Sequence, residues 1–385
     1  MRKVCVVISS RANYGSIRSV LVAIEAEPSL QLQIVLSASA LLEQYGSVES
    51  DIESLGLSVD ERVHSLVEGE TPETMAKSTG LALVELPSVF GRLRPDIVFV
   101  IGDRFEIIAT AIAASYMNIH VAHSMGGEVT GTIDESVRHA VTKLAHLHFV
   151  ATAEAAKRVL RLGERQDAIH RVGCPRIDTV REYLQEPGLF RQLSYFVRDL
   201  GVGSTIDLAK QYLVVSQHPV TTEYDAAASN MAATIEAIEM IGIQAIVLWP
   251  NADAGSTRLV RELRKWRESS PNAPVRFFKN FPVKLYMGLL GNAGCLVGNS
   301  SSGVREGAFL GTPVVNIGTR QVSRERGANV IDVENDSRQI SRAVEVQIEH
   351  GRFDSNPLYG DGYSASRIVE ILCGDLPPIQ KLIEY

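Results

Sequence analysis

Apolar runs of strand length recur along this chain, each followed by room for a helix. They read "KVCVVIS", "LQIVLSA", "DIVFVIG", "IHVAHS", "LHFVAT" and "IHRVG" in the first half. In the second half they read "YLVVSQ", "AIVLWP", "VRFFKN", "CLVGNS", "PVVNIG" and "NVIDV". The runs are continuous in Val, Ile and Leu instead of alternating with polar residues, so each strand is covered on both faces. Helix-like stretches at 104–117, 134–145, 224–241 and 256–268 supply the cover. That combination predicts an α/β protein with two Rossmann-like, doubly wound domains facing a cleft. A length of 385 residues suits two such domains. The strand rhythm lapses between Ile177 and Leu208, around Pro187, Gly188, Gly201 and Gly203, which places the seam there. The expected division is 1–185, 186–365 and a C-terminal helix over 366–385 that packs back on the first domain.

Composition narrows the functions open to such a fold. The net charge of −7 argues against a nucleic-acid or anionic-membrane surface, since either needs a basic face. A locally positive pocket for a small anion stays open. No GxGxxG follows the first strand, which counts against a nicotinamide or flavin dinucleotide, and no cofactor is expected. The cysteines Cys5, Cys174, Cys295 and Cys373 are scattered without a CxxC pair, which reads as a reducing, cytoplasmic setting. The opening "MRKVCVVISSRANYG" suits a first buried strand better than a signal peptide, and no apolar stretch reaches a membrane span.

Ligands of open parallel sheets sit at the carboxyl ends of the strands, so the polar residues there are the candidates. In "GNSSSGVREGAFLGTP" a strand turns into a helix, which puts Ser300, Ser301 and Gly303 at a helix N-terminus suited to an anion. The plainer alternative is an N-cap with surplus serines. Glu306, one turn on, faces the same pocket as an acceptor for ribose hydroxyls, or is a favourable first-turn acid. "DIVFVIGDRFE" ends a strand with Asp103, Arg104 and Glu106: a base or ion pair, or else a capping Asp beside a surface Arg. "HVAHSMGGEVTGTIDESVRHAVTKLAH" holds His123, Glu128, Asp134, Glu135, Arg138 and His139, more acids than capping Asp134 requires. Gly126 and Gly127 leave Glu128 free to swing toward His123. His218 in "SQHPVTTE" sits in a loop where burial is not expected and a phosphate donor is reasonable. His146 and His148 alternate on a strand as packing residues do, and metal is disfavoured without HExxH or a Cys partner.

Together the blocks "SSRANYG", "GDRFE", "GGEVTGTIDESVRHAVTKLAH", "HPVTT", "PNADAGS", "GNSSSGVREGAFLGTPVVNIGTRQ" and "YGDG" resemble the UDP-N-acetylglucosamine 2-epimerase family, and within it the hydrolysing branch. The resemblance implies a glycosyltransferase-B type fold. It implies that Arg11, His218, Asn251, Ser300, Ser301, Glu306 and Arg320 hold UDP, with Asp103, His123 and Asp134 at the sugar and the chemistry. The implied reaction takes UDP-N-acetylglucosamine and water to N-acetylmannosamine and UDP through 2-acetamidoglucal, in a homodimer or homotetramer. Close relatives act on UDP-di-N-acetylbacillosamine. A non-hydrolysing 2-epimerase, a glycosyltransferase of the same fold and a non-catalytic binder are the alternatives. One position departs from the pattern. Several hydrolysing relatives carry an acid two residues after the strand-end His, where this chain has Met125, so either Glu128 or Asp134 takes its role or the substrate and mechanism differ from those of the best-known members.

Overall fold

The computed structural model describes residues 1–42, 47–69, 71–130, 133–250 and 255–384. The first sheet contains β1 (Arg2–Ile8), β2 (Leu30–Ser37), β3 (Glu61–Val63), β4 (Ile97–Ile101), β5 (His120–Ser124), β6 (Leu147–Val150) and β7 (Ile169–Arg171). The second contains β8 (Val202–Gly203), β9 (Leu213–Ser216), β10 (Ala245–Leu248), β11 (Val275–Phe278), β12 (Cys295–Gly298), β13 (Val314–Ile317) and β14 (Val330–Val333). The strand orders are β3-β2-β1-β4-β5-β6-β7 and β14-β13-β12-β9-β10-β11-β8. Every pairing is parallel except that of β8 with β11. Setting β8 aside, both orders are the doubly wound pattern in which the chain leaves the central strand in one direction and later returns to its other side.

The continuous apolar runs have a direct cause. In β9, Leu213 and Val215 enter one buried cluster with Val247, Val297 and Val315, while Val214 enters the opposite cluster with Ile246, Leu296 and Val314. Successive side chains of a strand point to opposite faces, so a sheet clad on both sides makes each position apolar. Full burial of each such side chain contributes about 1.5–3 kcal/mol. β1 shows the same logic, with Val4 to Ile8 wholly buried.

The chain divides into two compact units. One is Met1–Glu128, Ile133–Thr179 and Tyr359–Tyr385; the other is Val129–Thr132 and Val180–Leu358. The stretch that interrupts the strand rhythm forms helices Pro175–Leu184 and Leu189–Asp199, then the two-residue edge strand β8, too short to register in a sequence pattern. Helix Ser364–Cys373 lies in the first unit and packs against helix Arg11–Glu25. The Asp178 carboxylate accepts from the backbone N–H groups of Ser364 and Ala365 at 2.9 and 2.7 Å and so caps that helix. Among the described residues no helix is long and apolar enough to cross a membrane.

Candidate active site

Each sheet has one place where neighbouring strands send their connections to opposite sides, and there the strand ends splay to leave a crevice. In the first unit it lies between β1 and β4, in the second between β9 and β12. Arg11 and Asp103 follow β1 and β4; His218 and Ser300 follow β9 and β12.

In the second unit the two strand ends are locked together. The Asn299 side-chain carbonyl accepts from the His218 backbone N–H at 2.7 Å, and its amide donates to the His218 carbonyl at 2.8 Å. This clamp draws His218 into the fold, where it is 9% exposed, contrary to the expected open loop position. Gly298 has φ +136° and a Cβ there would stand 2.2 Å from the Ser216 carbonyl oxygen, so only glycine lets β12 lie this close to β9. The carbonyl of Asn299 accepts from Arg320 at 3.1 Å and Gln321 at 2.9 Å, which brings Arg320 to the turn. Ser300 caps the next helix, and its hydroxyl lies 2.8 Å from that of Ser302, itself 2.6 Å from the Tyr286 hydroxyl. Ser302 and Gly303 are buried, while Ser300 and Ser301 are half-buried.

The expectation of one helix running from this turn needs correction. Ser301–Val304 is a single turn, the chain breaks at Arg305, and Glu306–Leu310 forms a second short helix. A four-residue helix sums few peptide dipoles, so an anion here would depend on individual N–H and hydroxyl donors. Glu306 is fully buried. Asn251 lies outside the described residues.

In the first unit the organising group is Arg138, a residue the sequence reading places beside the site without assigning it a role. Its guanidinium is fully buried on helix Asp134–Leu144. It donates to the Asp103 carboxylate, to the Glu128 carbonyl at 2.6 Å and to the Glu135 carboxylate at 2.9 Å. Burial works against its charge, but the acids around it prevail and raise its pKa. Asp103 is therefore not the cap of the following helix. That helix starts at Phe105 after Arg104, and Arg104 pairs with Glu106 at 3.3 Å. Asp134 likewise is the first helical residue, with Ile133 at the cap position.

Glu128 is 4% exposed with its carbonyl held by Arg138, so it does not swing as the glycines before it suggest. Gly127 serves packing: at φ +72° a Cβ would lie 2.2 Å from the Ala155 carbonyl oxygen. Met125, also at positive φ, is buried and donates its N–H to the Phe149 carbonyl at 2.9 Å. The His123 ring is wholly buried, and Nε2 donates to the Gly102 carbonyl at 2.9 Å. Nδ1 thus carries the lone pair and accepts from the Thr142 hydroxyl at 3.3 Å. Burial outweighs the Gly102 bond and pushes the His123 pKa down to about 4, which makes it a neutral brace between β5, the loop after β4 and helix Asp134–Leu144. Arg11 opens helix Arg11–Glu25 and lies 4.0 Å from Asp51. No cluster of three or more metal-ligating side chains occurs among the described residues.

Two doubly wound sheets with polar residues gathered at both switch points define the class: a two-domain α/β protein of the glycosyltransferase-B type. The chain belongs to the UDP-N-acetylglucosamine 2-epimerase family, whose model matches residues 22–373. It is 34% identical to the UDP-N,N'-diacetylbacillosamine 2-epimerase (hydrolyzing) of Legionella pneumophila, over 97% of this chain and 96% of that protein. It is 27% identical to the UDP-N-acetylglucosamine 2-epimerase of Neisseria meningitidis, over 97% and 95%. The crystal structure of the Methanocaldococcus jannaschii UDP-GlcNAc 2-epimerase in complex with UDP-GlcNAc and UDP superposes with a TM-score of 0.80 at 20% identity, covering 96% of this chain and 99% of that one.

Proposed function

We propose that this protein is a hydrolysing 2-epimerase that converts UDP-N-acetylglucosamine and water to N-acetylmannosamine and UDP. The observation that carries the reading is the coincidence of the candidate residues with both switch points, Arg11 and Asp103 on one sheet and His218 and Ser300 on the other.

In the proposed reaction a carboxylate removes the C2 proton, the C2–H electron pair forms the C1=C2 bond, and the C1–O bond breaks to release UDP. Water then adds across the double bond of 2-acetamidoglucal, its hydroxyl to C1 and a proton to the opposite face of C2. A weakly acidic C–H demands a positioned base, and the departing diphosphate needs donors that strengthen as its charge grows. Asp103, Glu128 and Asp134 are the acids from which base and proton donor are drawn. Ser300, Ser301, Arg11, His218 and Arg320 are assigned to the diphosphate, Glu306 to the ribose, and Asn251 to the UDP by family resemblance. Arg104 and Gly303 are assigned to binding, and His123 to bracing the loop that carries Asp103.

A second reading replaces the sugar with UDP-N,N'-diacetylbacillosamine. It is favoured by the Legionella relative, which shares more identity with this chain than the Neisseria one. Incubation with each nucleotide sugar, following free UDP and free sugar, tests both readings. Release of both products without an acceptor supports hydrolysis and separates it from glycosyl transfer; a product that keeps UDP would mark the non-hydrolysing reaction. Light scattering on the same preparation tests the homodimer or homotetramer.

A further inference from the structure

Residues 377–384 pack at the carboxyl end of the helix that bears Asp134, Glu135 and Arg138. Helix Asp134–Leu144 ends at Ala145, where an α-helix leaves its final carbonyls without internal partners. The Lys381 ammonium fills that position: it donates to the carbonyls of Lys143 at 2.9 Å and Ala145, and lies 3.5 Å from that of Thr142. A cation here also faces the negative end of the helix dipole.

Lys381 is itself seated. Its ammonium meets the Glu164 carboxylate at 2.6 Å, and Glu164 also accepts from Lys143 at 2.6 Å and His148 at 3.0 Å. Burial alone would raise the Glu164 carboxyl, but the hydrogen bonds from His148, Lys143 and Lys381 prevail and hold it down to about 2. Two further histidines fasten the backbone on the approach to Lys381. His120 Nε2 donates to the Pro377 carbonyl at 2.8 Å, and His146 Nε2 donates to that of Ile379 at 2.9 Å. The His146 tautomer is fixed because Nδ1 accepts from the Val121 N–H at 3.0 Å. Beyond Lys381, the Glu384 N–H donates to the Gly163 carbonyl at 3.1 Å.

We propose that Lys381 is a positioning residue for the reaction, setting helix Asp134–Leu144 from its carboxyl end so that Arg138 reaches Asp103 and Thr142 reaches His123. The inference rests on the reading of that helix as part of the active site. The C-terminal segment is then a working component of the first unit.

The test uses the full-length protein, with Lys381→Met, Lys381→Arg and Glu164→Gln, the last a milder change that leaves the ammonium in place. Hydrogen exchange of the amides across 134–144 should speed up about fivefold or more in Lys381→Met. Turnover should fall by a similar factor with UDP affinity by calorimetry unchanged, and Lys381→Arg should restore both exchange protection and turnover. Glu164→Gln should shift exchange the same way to a smaller extent. Exchange and turnover both staying within twofold of the parent in Lys381→Met would overturn the inference. So would a loss of turnover with no change in exchange across the helix. Should Lys381→Met fail to fold, Glu164→Gln decides on the same two readouts. The exchange measurement needs no substrate, so it stands even if neither nucleotide sugar is turned over.

Discussion

Replacing Arg138 by Lys tests whether the buried fork organises the first-unit site. The guanidinium reaches three acceptors from one fully buried position: the carboxylates of Asp103 and Glu135 and the carbonyl of Glu128. A lysine keeps the charge but is a single point on a shorter reach, so it cannot span all three. Loss of one hydrogen bond to a charged group costs about 1.5–3 kcal/mol. The figure stays below the range for breaking a buried pair outright, about 3–5 kcal/mol, because the charge remains and because Asp103 and Glu135 keep 22% and 27% exposure to water. Urea unfolding should therefore show a lower midpoint at constant slope, equivalent to about 2 kcal/mol. Turnover should fall at least about tenfold as Asp103 loses its orientation, since about 1.4 kcal/mol is a factor of ten. UDP affinity should not change, because the bonds of Arg138 described above go to Asp103, Glu128 and Glu135, none of which is assigned to the diphosphate. A variant with the parental urea midpoint and turnover within twofold would refute the argument that Arg138 holds Asp103 in place.

Three further outcomes are expected. Ser301→Ala combined with Glu306→Ala should weaken UDP binding about tenfold or more in calorimetry, and an unchanged affinity would remove the serine turn from the site. Glu128→Gln and Asp134→Asn, made separately, should each abolish turnover and solvent-deuterium entry at C2 of the product; retention of both activities in both variants would mean that neither acid compensates for Met125. Stability should also fall with acid, because His123 is neutral when folded with a pKa of about 4, while the unfolded chain takes up its proton near 6.5. The unfolded state binds more protons between these values, so the loss develops from about pH 6.5 down to pH 4 and reaches about 3 kcal/mol there. His123→Gln should lack that share of the slope in urea titrations at successive pH values, and identical slopes for parent and variant would contradict the assignment.

How much of this was readable without coordinates depended on distance along the chain. The alternation of apolar runs with helical stretches is a local signal, since a strand clad on both faces must be apolar at every position. It therefore carried the fold class, and strand ends carried most candidate residues with them. What happens at those ends depends on groups far apart in sequence. The sequence left Asp103 open as a base, an ion-pair member or a cap for the helix beside it, and could not name its partner: Arg138 arrives from another helix to claim its carboxylate, because β4 and β5 are neighbours in the sheet. His218 looked exposed until Asn299, at the end of the adjacent strand, clamped its backbone and buried it. Lys381, near the end of the chain, gave no sign that it caps helix Asp134–Leu144. Local pattern is set by which face of an element must avoid water, and the sequence determines that alone. Pairing of buried charges depends on which elements the strand order brings together, and only the tertiary structure decides it.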